Sequence, residues 1–415
     1  MLADLLITNI SKLYTPFHKP PIKGQLMRDI LVIEHCSVAV KDGHIVEVTT
    51  SDLSSHVSQN TKVVDANGLI MIPGFVDSHT HLVHFGSRAD EALKIAQGIP
   101  YIDILKQGGG ILSTVKETRN ASFHQLYDKA MKTLDKMLSF GVTTIEAKSG
   151  YGLDFDTEIK QLRVAKECAK NHPIELFSTY LGAHAIPKEF HDKRNEYIDL
   201  VIQSLSKVKN ENLASAVDVF MEDSVFNYKE TKMILSEAKK LNFRIHLHAD
   251  EITSLGGAGL GIELEASSVD HLMAISDQDI LALKDSNTVA NLLPTTSFFL
   301  SKGYAPARKL IDNGASVSLS SDYNPGSAPS ENYQFALQLA FNKMKMLPYE
   351  IITASTINPA FLLGCSEKVG SIELGKQADF ILMDTSSFET ALINFGVNPI
   401  KQVYKKGQLV YGQAD

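Results

Sequence analysis

Two histidines two positions apart, His79 and His81 in VDSHTHL, open the chemical argument. On an extended strand such residues share a face, so both imidazoles can grip one ion. The plain alternative is a pair of hydrogen-bonded core histidines, because histidine is commonly half buried. Their company weighs against it: His248 in FRIHLHAD adds a third imidazole, and Asp322 in SVSLSSD adds a carboxylate. Three nitrogen donors and one oxygen donor suit zinc or iron, with a coordination position left for water. A divalent ion lowers the pKa of such water from 15.7 to about 7, which makes hydroxide available at neutral pH. Glu251, three residues beyond His248, stands where a carboxylate takes the water's proton and passes it to a leaving nitrogen. His271 in VDHL is placed to hydrogen-bond the nucleophile or polarise a carbonyl. Away from these neighbours, Glu251 reads as a loop charge and His271 as a core histidine.

These residues need a scaffold that gathers strand ends. Eight segments read as strands: GFVDSHTH, VTTIEAK, ELFSTYLGAH, AVDVFMED, FRIHLHAD, ASSVDHL, TVANLLP and SVSLSSD. Amphipathic helical stretches such as HQLYDKAMKTLDKMLSF and TEIKQLRVAKECAKN lie between most of them. Strands alternating with helices predict a parallel sheet with right-handed crossovers, and eight is the number of a (β/α)8 TIM barrel. A doubly wound open sheet is the alternative, but it gives no reason for ligand-type residues at nearly every strand end. Those ends carry His79 and His81, Glu146 and Lys148, His184, Glu222 and Asp223, His248 with Asp250 and Glu251, Asp270 and His271, and Asp322. A TIM barrel builds its active site from that face.

The two termini read differently. Residues 1–73 hold short strands with a hairpin signal at KDGHIVEV, where Asp-Gly supplies the positive φ values of a two-residue turn. Residues 370–415 repeat the pattern, with a Lys-Gly turn at Lys406 and Gly407. Neither segment alone makes a sheet of independent stability, so they are expected to combine into one small β-sandwich domain, with 74–369 as the barrel.

Composition excludes several classes. At 415 residues, 44% hydrophobic and 21% charged, the chain is an ordinary folded protein with ample core. A net charge of −8 without a basic run argues against nucleic acid or an anionic membrane as partner, so a small anionic substrate needs a locally placed cation. MLADLLITNISKLYTP is too short and too interrupted for a signal peptide, and no stretch approaches a membrane span, which predicts a cytoplasmic protein. Cys36, Cys168 and Cys365 are far apart and lack CxxC spacing, so neither a disulfide framework nor a thiolate metal site is expected.

PGFVDSHTHLV, HADE, VDHL and SSDYNPGS together resemble the metal-dependent amidohydrolase superfamily. Its binuclear branch carries a carbamylated Lys on the fourth strand; AVDVFMED has none, so the chain is similar to the mononuclear, deaminase-like branch. HLVHFGSRADE, YIDILKQGGGILSTVKETR, EAKSGYGLD, STYLGAHAIP, LHADEI, LLPTTSF and SSDYNPGSAPSEN further resemble the imidazolonepropionase family over nearly the whole barrel. That resemblance implies hydrolysis of the ring amide of 4-imidazolone-5-propanoate to N-formimidoyl-L-glutamate in histidine degradation. It also implies one zinc or iron ion per chain on His79, His81, His248 and Asp322, with catalytic roles for Glu251, His271 and Asp322. Arg88 matches the residue that holds the propanoate tail, chemistry suited to a guanidinium fork. Tyr151, His184 and Glu251 match positions around the ring, and Asn324, Gly326 and Ser327 the loop beyond the last metal ligand. Tyr101 is a further candidate for the carboxylate end, and a homodimer is implied.

Another mononuclear cyclic-amide hydrolase or aminoazine deaminase would use the same metal centre, but such substrates carry no propanoate for Arg88. A non-catalytic barrel has no support, since ligand-type and proton-handling residues are all present. Glu146 and Lys148 are open between an ion pair that orients Tyr151 and simple filling of the barrel's polar end; Asp250 is a candidate support for a metal histidine. Gly108 to Gly110 lacks the Lys-Ser or Lys-Thr of a phosphate loop and reads as a lid, and His84 falls beyond the strand end as a non-ligand.

Overall fold

The computed structural model describes residues 2–99 and 109–413. Tyr101 and Gly108 lie outside them. Two sheets organise the chain. The first takes strands from both ends: β1 (Leu5–Pro16), β2 (Ile30–Lys41), β3 (His44–Thr49), β4 (Lys62–Asp65) and β5 (Ile70–Pro73), joined by three strands from the C-terminal end. The second is the barrel: β6 (Phe75–Asp77), β7 (Val142–Lys148), β8 (Glu175–Ala183), β9 (Ala216–Met221), β10 (Arg244–Ile245), β11 (His248–Ala249), β12 (Ser268–His271), β13 (Val289–Leu292) and β14 (Val317–Leu319). The three late strands of the first sheet are β15 (Phe380–Met383), β16 (Ile400–Lys405) and β17 (Gln408–Tyr411).

The terminal segments meet edge to edge. β15 pairs antiparallel with β5, placing Phe380 opposite Pro73 and Met383 opposite Ile70. β1 is shared lengthwise, its first half pairing with β4 and its second with β5. The inward residues form a core of their own, with Ile7, Ile10, Val38, Met71, Leu382 and the stacked rings of Phe380 and Tyr404. The termini thus build one continuous, mainly antiparallel sheet rather than the two separate layers of the expected sandwich. Both expected two-residue turns are present: Asp42 and Gly43 have φ of 49° and 76°, and Lys406 and Gly407 have 50° and 72°.

The barrel strands run parallel in sequence order, β6 to β14, with β10 and β11 together occupying the fifth position. The eight predicted strand segments all lie on it. Between β6 and β14 the ring is closed just beyond the regular strands: Asp322 N–H donates to His79 O at 3.1 Å, and His81 N–H donates to Tyr323 O at 2.8 Å. The helices Phe123–Ser139 and Phe155–Asn171 fall where the amphipathic pattern predicts, each with a side-chain cap, Ser122 for the first and Asp154 for the second. Among the described residues, no helix is long and apolar enough to cross a membrane, and all three cysteines are free and buried.

Candidate metal centre

The first strand ends its regular ladder at Asp77, yet the chain stays extended through His81 because its backbone bonds alternate. His79 and His81 bond to the end of the eighth strand, whereas Thr80 turns to the second: Thr80 O accepts from Lys148 N, and Thr80 Oγ1 donates to Glu146 O at 2.6 Å. Both imidazoles are thereby sent to one side. His248 arrives from a strand that is split for a local reason. Its N–H donates to Asp218 Oδ1 at 3.2 Å, so a side chain from β9 meets the backbone where β11 begins. Asp322 follows β14 with φ of 55°, and His271 ends β12 with φ of 77°. Left-handed backbone at bulky residues costs on the order of 1–3 kcal/mol each and tends to mark functional positions.

The ligand-type atoms converge. Those of His79, His81 and His248 lie within 4.8 Å of one another, as do those of His79, His271 and Asp322. Asp322 Oδ1 is 3.6 Å from Nε2 of both His79 and His81. Buried His79 Nε2 finds no hydrogen-bond partner, which in a protein interior calls for an unrepresented one. Burial holds His79 and His81 well below the ordinary histidine range, so both are neutral, the form that binds metal. The cluster is able to hold a metal ion.

Behind the imidazoles stand carboxylates. Asp270 Oδ2 lies 2.5 Å from His79 Nδ1, and Asp218 Oδ2 lies 2.9 Å from His248 Nδ1. The first is a hydrogen bond that leaves His79 Nε2 toward Asp322, and the second is an ion-pair contact that sets a carboxylate behind His248. Lys148 reaches both aspartates and pairs with Glu146; the ion pair exists, but it faces the supports of the metal histidines. Burial drives Glu146 up to about 7 against the pull of Lys148. Burial also opposes the charge of Lys148, yet Asp218, Glu146 and Asp270 together raise its pKa above the ordinary value. Thr296 Oγ1 hydrogen-bonds Asp322 Oδ2.

Glu251 projects from the loop after β11, with Oε2 3.7 Å from His271 Nε2. Burial pushes its carboxyl up to about 7, His248 opposing and Glu222 adding to the rise. Asp250 does not support a metal histidine. Its carboxylate accepts the N–H groups of Leu255, Gly257 and Ala258, while Glu222 Oε2 accepts those of Ile252 and Thr253. Between them they hold the loop that carries Glu251.

The expected substrate residues among those described lie on loops beside this cluster. His184 stacks on His81 with centroids 4.9 Å apart, and its Nδ1 sits 2.9 Å from Gly150 O. Burial lowers its pKa to about 3, so the ring is neutral. Tyr151 packs against His81, His84 and His184. Its loop is held by buried Glu158, whose carboxylate accepts the N–H groups of Gly150, Gly152 and Leu153. Arg88 Nε donates to Thr114 Oγ1 at 2.9 Å, and its guanidinium lies against Gly326. Asn324 organises that loop, with Oδ1 accepting from the N–H of Gly326 and of Ser327. Gly110 N–H donates to Glu91, one turn along the helix from Arg88. His84 stays out of the metal set, bonded to His81 O and Lys129.

Sequence reasoning missed Asp218, Glu158 and Thr296. Asp218 left a signal, a lone acid inside the apolar run AVDVFM; the other two left none.

The sequence pattern of the Amidohydrolase family matches residues 70–410. Among solved structures, E. coli guanine deaminase superposes with a TM-score of 0.76 at 14% identity, over 98% of this chain and 99% of that one. An adenosine deaminase from Xanthomonas campestris with bound zinc gives 0.72 at 20% identity, over 99% and 94%. At such identities the likeness speaks for the fold alone. An imidazolonepropionase of Fusobacterium nucleatum is 47% identical over 99% of this chain and 100% of its own, and one of Bacillus cytotoxicus is 45% identical over 100% and 98%. The chain belongs to the amidohydrolase family and, within it, to the imidazolonepropionases.

Proposed function

We propose that the chain opens the ring amide of 4-imidazolone-5-propanoate to N-formimidoyl-L-glutamate in histidine degradation. The observation that carries this reading is the position of Arg88. Its guanidinium lies against Gly326, in the short loop that begins at Asp322, so a cation for a carboxylate tail and a metal-type cluster share one segment.

The donor set fits one divalent ion, zinc or iron, held by His79, His81, His248 and Asp322. When bound, such an ion supplies Lewis acidity and a nucleophilic water at neutral pH. The remaining work belongs to side chains. Arg88 anchors the propanoate tail, and Tyr151 and His184 flank the ring, fixing the scissile amide beside Glu251. Glu251 accepts the proton from the attacking water and delivers it to the ring nitrogen as the C–N bond breaks. His271, neutral because burial lowers its pKa to about 4, donates a hydrogen bond to the developing oxyanion. Asn324, Gly326 and Ser327 keep the loop closed on Arg88.

The same reading includes a cytoplasmic homodimer, as the sequence resemblance implies, and a division into 1–73 with 370–415 and 74–369. The decisive experiment is turnover of 4-imidazolone-5-propanoate by purified protein, with guanine and cytosine as comparison substrates. Ring opening of the imidazolone with no deamination of either base is the expected result; the reverse would overturn the assignment.

A further inference from the structure

We infer that Lys148 is a positioning residue of the metal centre: one buried ammonium fixes Asp218 and Asp270, and through them the imidazoles of His248 and His79. The inference rests on the assignment of those two histidines as metal ligands.

Lys148 ends the second strand with no exposed side-chain surface, and neither do Glu146, Asp218 or Asp270. Its Nζ lies 2.8 Å from Asp218 Oδ2, 2.9 Å from Glu146 Oε2 and 3.9 Å from Asp270 Oδ2. The oxygens are the telling detail. Asp218 Oδ2 is the atom that meets His248 Nδ1, and Asp270 Oδ2 is the atom that meets His79 Nδ1. In Asp218 one oxygen lies within 2.9 Å of both the ammonium and a metal-type imidazole, and in Asp270 the oxygen that meets the imidazole at 2.5 Å faces the same ammonium at ion-pair distance, 3.9 Å. A barrel interior is ordinarily filled by branched apolar side chains, and apolar residues of similar volume would serve stability as well as or better than buried charges. A lysine with three carboxylates in that layer is accounted for by what the carboxylates orient. Strands two, four, five, six and one are linked in this way through a single Nζ, so displacement of Lys148 reaches two ligands at once.

The test measures zinc affinity by competition with a chromophoric chelator, on protein stripped of metal and reloaded. Lys148→Met should weaken zinc binding by roughly the 10- to 100-fold typical of lost outer-shell partners, and Lys148→Gln, which keeps an amide donor, by less. Asp218→Asn should weaken it comparably. Combining Lys148→Met with Asp218→Asn should cost less than the product of the two separate losses, because both act through one oxygen. Cobalt-loaded Lys148→Met should also show an altered visible spectrum, which a purely structural role would leave in place. Circular dichroism and melting of the stripped proteins establish folding; if Lys148→Met does not fold, Lys148→Gln with Asp218→Asn forms the same cycle. A folded Lys148→Met protein with unchanged zinc affinity, or losses that multiply independently, overturns the inference while the ligand set stands. Unaltered protein that takes up no zinc, or a His248→Asn variant that binds it normally, overturns the ligand assignment and this inference with it.

Discussion

Arg88 stands in the space that a side chain at position 326 would occupy. A Cβ built on Gly326 would lie 2.7 Å from the central carbon of the guanidinium and closer still to one of its nitrogens. Gly326 does not need an unusual backbone angle here; it is required because the cation is packed against its Cα. The cation proposed for the tail and the loop that follows the metal-type aspartate are thus mutually placed.

Gly326→Ala should push Arg88 aside and raise KM with little change in kcat, since the tail is held equally in ground state and transition state. Arg88→Leu should do the same more strongly, by roughly 10- to 100-fold, for loss of a charge-assisted hydrogen bond worth about 1.5–3 kcal/mol. Steady-state kinetics check both. Unchanged KM in Arg88→Leu would place the carboxylate site elsewhere.

Glu251→Gln should keep fold and metal while kcat falls by roughly 10²- to 10⁴-fold, the usual scale of lost general acid-base catalysis. The pH dependence has a definite sign. Burial raises Glu251 to about 7, with neutral His271 beside it, His248 lowering the value and Glu222 repelling. Below its pKa Glu251 is protonated and accepts no proton, so kcat/KM should climb with pH and level off above it. A bound cation draws that limb to lower pH. A Glu251→Gln protein with the same acid limb, or with near-normal kcat, would remove Glu251 from the proton transfer.

Elemental analysis of active protein should find one zinc or iron per chain, and Asp322→Asn or His248→Asn should lower that content. Two ions per active chain would contradict the mononuclear ligand set, which has no Lys on AVDVFMED to bridge a pair.

Gly150→Ala should damage the site through the backbone. Gly150 has φ of 107°, and a Cβ there would lie 2.9 Å from His184 Nδ1. A cost of about 1–3 kcal/mol in stability is expected from the strained backbone, together with an impaired kcat/KM as His184 shifts off His81. A melting temperature and kinetics equal to those of the unaltered protein would show that His184 needs no such fixed support.

Much of this was legible in order along the chain. The eight strands were visible because each is a short apolar run with polar residues at its end, and the turns at Asp42 and Lys406 because a following Gly is a local signal. The histidines, Glu251 and Asp322 were legible for the same reason: their chemistry is stated by type and strand-end position. What escaped depends on how elements pack, which residue type does not state. Asp218 matters because β9 lies beside the fifth strand, and Glu158 because a helix turns its carboxylate back under the Tyr151 loop. Lys148 could be paired with Glu146 on its own strand but not fully interpreted, since Asp218 and Asp270 come from other strands. Asp250 has the right residue type for a metal support, but its positive φ of 50° accompanies a carboxylate used by the loop's own N–H groups.

The barrel closes where β6 meets β14, and that junction is made largely by the residues of the site: His79 and His81 by their backbones, Asp77 through its carboxylate on Ser321, a partner 244 positions away. Closing a loop of that length carries a large entropic penalty in the unfolded chain. On the proposed ligand set, an ion held by His79 and His81 on one lip and Asp322 on the other would be a clasp across a span of that length. The candidate reaction centre thus doubles as the seam of the ring, and occupancy by metal would tie catalytic competence to the mechanical integrity of the whole barrel.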